Sequence, residues 1–161
     1  MNKLMSSLLI ILITLCSCES DKVAPPVIEI ERVIINQDST VNYKDSLDKL
    51  PVLKFGDEVE VSLYLNGNGS SLNTLNVSAA NQSVKTSLIP SANAQIAEDK
   101  NFTDLENGKM SFVDGVGQCE VKSKLLIIST AEKNIKLSYH LSARAECEGG
   151  GILDLEFRTA E

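Results

Sequence analysis

The sequence predicts an all-β protein, an antiparallel β-sandwich of about seven strands. Three observations predict it. Apolar and polar residues alternate at period two along most of the chain, with little at the helical period of 3.6. Turn signals, above all Asn66-Gly67-Asn68-Gly69 and Gly149-Gly150-Gly151, break that alternation at short intervals. A chain of 161 residues suits one domain with its own core.

The first strand is Val27–Ile35, VIEIERVII. In residues 58–65, EVEVSLYL, Val59, Val61, Leu63 and Leu65 face one way and Glu58, Glu60, Ser62 and Tyr64 the other. That is the mark of a half-buried antiparallel strand. Leu72–Ala79 follows the Asn-Gly turn, with Leu75 and Val77 inward. Residues 84–89 and 110–113 read as shorter strands, and the polar stretch 92–107 between them as a short helix or a long loop. Residues 36–56 form a linker around Pro51; its apolar Leu50, Val52, Leu53 and Phe55 suit a short edge strand. The last third is the most regular. Cys119, Val121, Ser123, Leu125 and Ile127 alternate along one strand. Ile135, Leu137, Tyr139, Leu141, Ala143, Ala145 and Cys147 alternate along the next, with Lys136, Ser138, His140, Ser142 and Arg144 outward. Ile152, Leu153, Leu155 and Phe157 close the domain.

The N-terminus carries an address. Lys3 supplies a positive n-region, residues 8–16 (LLIILITLC) a short apolar h-region, and Ser17 a small residue before a cleavable bond. A membrane-spanning helix needs about 18–20 apolar residues, and this run is about half that. Leu15-Cys16-Ser17-Cys18 resembles the bacterial lipobox. The resemblance implies that residues 1–17 are a signal peptide that is removed, and that Cys18 is lipidated. Residues 18–26 then form the lipidated cysteine and its tether, and residues 27–161 a single domain. The eight tether residues ESDKVAPP reach at most about 26–29 Å, so the domain is expected close to a membrane. Glu19 and Asp21 resemble the surface-export signal of Bacteroides-type lipoproteins. The expected location is the cell envelope, at the outer membrane, with the periplasmic and surface faces both open.

Composition limits the partners. Loss of the leader removes one lysine from 15 basic residues against 22 acidic ones, so the net charge moves from −7 to −8. Nucleic acid binding needs clustered Lys and Arg to displace counterions, and is excluded. Trp is absent, which disfavours a glycan site built on aromatic platforms. With Cys16 removed and Cys18 acylated, Cys119 and Cys147 are an even pair in an oxidising compartment, which reads as a disulfide. Its loop of about 29 residues is worth roughly 3.5 kcal/mol. Pairing residues whose numbers sum to 266 would set the two cysteines opposite each other in one sheet; the same parities suit a bond between sheets. A zinc set is excluded by one histidine and no C-x-x-C motif.

Residues 55–63, FGDEVEVSL, resemble the second strand of bacterial immunoglobulin-like domains, and residues 139–157 resemble their last two strands joined by a glycine turn. The whole chain is similar to small Bacteroides-type lipoproteins grouped as a family of unknown function. The resemblance implies an immunoglobulin-like β-sandwich and carries no activity with it. Tyr139 is either a core tyrosine or the tyrosine-corner residue of that fold. Asp38-Ser39-Thr40 and Asp45-Ser46-Leu47 resemble the acceptor motif for O-glycosylation in Bacteroides-type exported proteins, which makes Ser39 and Ser46 candidate acceptors.

Catalytic signals are missing. His140 lies beside Ser138 and Ser142 on the outward parity, with no orienting carboxylate in the pattern and no G-x-S-x-G elbow. Asp99, Asn101, Asp104 and Glu106, ending at Gly108, miss the register of a calcium loop. No metal and no cofactor is expected. The expected function is a lipid-anchored, non-enzymatic envelope module that binds a protein or a glycan. The alternative is a structural accessory subunit of a fimbrial or nutrient-uptake assembly, and a small hydrolase comes third.

Overall fold

The computed structural model describes residues 23–99, 101–145 and 149–160, so the leader, Cys18 and Cys147 lie outside the described residues. Eight strands form: β1 (Val27–Ile35), β2 (Glu58–Asn66), β3 (Leu72–Ala79), β4 (Val84–Pro90), β5 (Lys109–Ser111), β6 (Gln118–Ile127), β7 (Asn134–Ala143) and β8 (Gly151–Arg158). They pair into two four-stranded antiparallel sheets, β1-β2-β6-β4 and β5-β3-β7-β8. The orders match the ABED and CFG sheets of an immunoglobulin-like sandwich, with β5 added beside β3. One departure is that β4, the D-like edge, precedes β5 in the chain.

Alternation builds the core. Val59, Val61, Leu63 and Leu65 of β2 are wholly buried, as are Leu125 of β6 and Ile135, Leu137 and Tyr139 of β7. Every second residue on these strands faces the opposite sheet, and the polar partners face out. Both ends of β1 are tied by asparagines. Asn68 Nδ2 donates to the Pro25 carbonyl at 2.5 Å, and Asn36 Nδ2 to Asp57 Oδ1 at 2.9 Å.

Several expectations change. β6 and β7 fall in different sheets, so the in-sheet register that sets Cys119 against Cys147 does not form. Instead β6 pairs with β2, and Leu65 stands opposite Cys119. The physical reason is that both apolar parities bury best face to face across the sandwich. Cys119 is a free, buried thiol. Burial, and then the charge of Glu120, push its pKa up to about 11. The linker 36–56 holds a short 3-10 turn at Leu47–Lys49, and Leu53 forms an isolated parallel bridge to Thr159 instead of an edge strand. Leu50 and Leu53 drop into the core, whereas Val52 and Phe55 point out. Ile152 also points out, because Gly151, Leu153, Leu155 and Phe157 hold the inward parity. Residues 92–107 contain one 3-10 turn, Leu105–Asn107, and isolated bridges at Ile96 and Asp104.

The Tyr139 hydroxyl is buried without a hydrogen-bond partner, so no tyrosine corner forms. Ser123, from the facing sheet, is the other buried side-chain oxygen without one among the described residues. The pair stands close enough for the serine to offset a little of the burial that drives the phenol pKa up to about 12, but not at bonding geometry.

Candidate functional site

The interior is filled, and the recesses lie outside it. The two outer faces differ in chemistry. The outer face of β1-β2-β6-β4 is a charged ladder. Lys122 Nζ lies 2.8 Å from Glu60 and Lys124 Nζ 3.1 Å from Glu58, each across the β2–β6 pair. The Tyr64 hydroxyl donates to Gln118 Oε1 at 2.8 Å. A groove of about 470 Å³ opens here, walled by Glu31, Glu60, Glu120 and Lys122 and by the apolar Ile89 and Pro90 at the β4 edge. Surface ion pairs of this kind contribute little to stability.

The outer face of β5-β3-β7-β8 is mostly neutral. Register sets Asn76, His140 and Ile152 in one row, and Ser78, Ser138 and Asp154 in the next. The Ser138 hydroxyl donates to Asp154 at 2.5 Å, and Thr74 and Ser142 share a 2.8 Å hydrogen bond. His140 is exposed. The carboxylate beside it holds the serine and not the imidazole, the reverse of what a triad requires.

The remaining sequence candidates sit in loops. Ser39 is exposed, and its carbonyl accepts from Arg32 Nη2 at 2.9 Å. Next to it, the Thr40 hydroxyl and then the Thr40 amide hold the Asp38 carboxyl below its usual range. Ser46 is half-buried and starts the turn at Leu47–Lys49. The structure therefore leaves Ser39 the more open of the two. In the acidic loop, Asp99 accepts from the backbone and side chain of Asn101, and Asp104 from Asn107 Nδ2. Those oxygens serve the loop itself, and no group of three metal-ligating side chains stands among the described residues.

Sequence reasoning missed two features. Phe55 is 73% exposed at the second position of a tight turn in which Asp57 N–H donates to the Lys54 carbonyl and Gly56 holds φ +86°. The Lys-Phe-Gly-Asp spacing carries that turn, though its apolar residue reads as core. The second is the edge of β8, where no described residue bonds the outward backbone groups between Ile152 and Glu156 and which no single-strand pattern reveals.

A protein-family model described as "Domain of unknown function (DUF5035)" matches residues 18–159. No curated protein matches the chain. Among solved structures, the chain is similar to the human F-spondin reeler domain at 7% identity, over 89% of this chain and 95% of that one, with a TM-score of 0.46. It is also similar to part of a family 123 glycoside hydrolase from Clostridium perfringens at 16% identity, over 84% of this chain and 27% of that one, with a TM-score of 0.46. The collagen-binding subdomain of the Enterococcus faecalis surface protein ACE matches at 10% identity, over 65% of this chain and 88% of that one, with a TM-score of 0.34.

Proposed function

The chain belongs to the DUF5035 family of domains of unknown function, and from that premise we propose that it is a lipid-anchored, non-enzymatic binding module of the cell envelope. One observation carries the reading: side chains of both sheets fill the interior, so a ligand is met on outer faces, edges and loops. A module that only binds needs a rigid scaffold and exposed recognition elements, and this sandwich supplies both. Cys18 holds the anchor, and Cys119 and Cys147 are proposed to join as a disulfide after export. That bond would run between sheets. In support, Ala145 N–H donates to Ser70 Oγ, and the same Gly67–Ser70 turn is bonded to Gly117, two residues before Cys119. Ser39 remains the better candidate for O-glycosylation.

A second reading, a permanent accessory subunit of an envelope assembly, is favoured by the bare strand edge described below. The test common to both is a turnover screen of purified residues 19–161 on esters, peptides, glycosides and phosphates. Background rates are expected for all four. Turnover that disappears in Glu60→Gln would expose the acidic groove as an active site, and turnover lost in His140→Ala would do the same for the neutral face.

A further inference from the structure

A β-sandwich has four edge strands, and unprotected edges invite another chain to pair. One edge here is covered and two are interrupted. β1 carries a bulge between Ile30 and Arg32, and beyond it Asn42 Oδ1 accepts from Val33 N–H while Tyr43 N–H donates to the Val33 carbonyl. β4 ends in Pro90, whose nitrogen has no hydrogen and stops the ladder there. β5 is three residues long and bonded along its outer side by the preceding loop, Ala97 N–H to Ser111 and Lys109 N–H to Asp104.

β8 differs. Leu53 N–H donates to the Arg158 carbonyl, and that contact covers only the strand's last residue. The neighbouring Thr159 N–H points the other way, to Lys133. In an antiparallel ladder the two backbone groups of a residue point to the same side, and successive residues alternate. Ile152, Asp154 and Glu156 therefore turn N–H and C=O away from β7. No hydrogen bond from a described residue reaches those groups. The window is about 14 Å long.

The side chains of the window select its occupant. Ile152 is 64% exposed. Asp154 and Glu156 project on the same face, and Glu156 lies 4.0 Å from Lys136, itself largely exposed. A second copy of β8 pairing antiparallel about residue 154, 155 or 156 would set an acid directly against an acid, which is destabilising. The domain's negative charge points the same way. We infer that the free edge of β8 accepts a β-strand from a partner protein, one with basic side chains beside Asp154 and Glu156 and an apolar one beside Ile152. Main-chain bonds supply the affinity and the alternate side chains the selection. The inference rests on the binding-module reading and names its partner chemistry.

The test uses residues 19–161 and two synthetic peptides of about nine residues. One alternates Val with Lys, Lys and Ile; its counterpart carries Glu in place of Lys. Amide exchange followed by NMR should slow at least about tenfold at Ile152, Asp154 and Glu156 with the basic peptide and not with the acidic one. In a variant carrying Asp154→Lys and Glu156→Lys, with its fold checked by circular dichroism, protection should pass to the acidic peptide. Unchanged exchange at the three amides with both peptides overturns the inference, as does equal protection by both. Protection confined to another surface overturns it while leaving the module reading intact. Cleavage of either peptide overturns the non-enzymatic reading instead.

Discussion

The hydroxyls of Ser123 and Tyr139 enter the core from opposite sheets, and neither finds a hydrogen-bond partner. Burying a hydroxyl without a partner costs about 1–3 kcal/mol. Tyr139→Phe keeps the ring and deletes the orphan, so it should leave stability unchanged or raise it by about 1 kcal/mol. The same holds for Ser123→Ala, and the double variant should be at least as stable as either. Urea unfolding midpoints check this. A loss above about 1 kcal/mol in both single variants would mean that a buried water satisfies the pair.

The phenol also sets an alkaline limit. Its pKa stands at about 12 in the folded protein against 10.0 ordinarily, and the Cys119 thiol at about 11 against 9.0. Both folded values are raised, so both groups contribute stability below their unfolded pKa and lose it as pH rises through the folded one. For the reduced protein, stability should start to fall above pH 9.0 and keep falling to about 12. The buried phenol contributes of order 2–3 kcal/mol to that decline. Ultraviolet difference absorbance should show one of the three tyrosines titrating late, and Tyr139→Phe should remove it. Three tyrosines titrating together would contradict the burial.

Cys119 and Cys147 give an independent test of compartment. In protein taken from the envelope and unfolded without reductant, neither thiol should react with an alkylating reagent, and both should after reduction. Replacing both cysteines should cost about 2–5 kcal/mol. Two reactive thiols in the unreduced sample would leave Cys119 the free buried thiol seen in the fold.

Gly108 should tolerate no side chain. Its φ is +73°, and a Cβ there would stand 3.1 Å from the Val77 Cβ and 3.0 Å from Thr86 Oγ1. The left-handed backbone alone costs a non-glycine residue about 1–2 kcal/mol. Gly108→Ala should therefore lower stability by about 2–3 kcal/mol, measured by urea unfolding, whereas Gly115→Ala, with open space around it, should lose only the conformational part.

The anchor is tested by fatty-acid labelling in cells. The wild-type protein should take up label and sediment with membranes, and Cys18→Ala should do neither. An unlabelled wild-type protein would end the lipoprotein proposal.

Strand positions were legible wherever one face is buried and the other wet. β2 alternates without a break, and its sequence parity is its burial pattern; β6 does the same except at Ser123, a polar residue facing in, and Leu126, an apolar one facing out. β8 was legible only in part. Ile152 is as apolar as Leu153, and the register that turns it outward is fixed by β7. The sheet assignment of β6 and β7 was hidden for a similar reason: two consecutive alternating strands read alike whether they pair side by side or cross the sandwich. Linker residues 36–56 held core and surface apolar groups in one run, Leu53 buried and Phe55 bare, and only tertiary packing separates them. The edge of β8 depends on what does not pair with it, which no pattern within one strand encodes.

The bond between Asn68 and the Pro25 carbonyl fixes where the chain enters the sandwich, beside the start of β1 and at the opposite end of β2 from the Phe55 turn. Tension between the entering chain and a load at the far end would run along the strand axes. β1 would be pulled lengthwise against β2, and its rungs from Val27–Asn66 to Ile35–Val59 would carry the load together instead of opening one at a time. The protein would resist such a pull as a lap joint does, and pulling at its C-terminal strand from the side would open it far more easily.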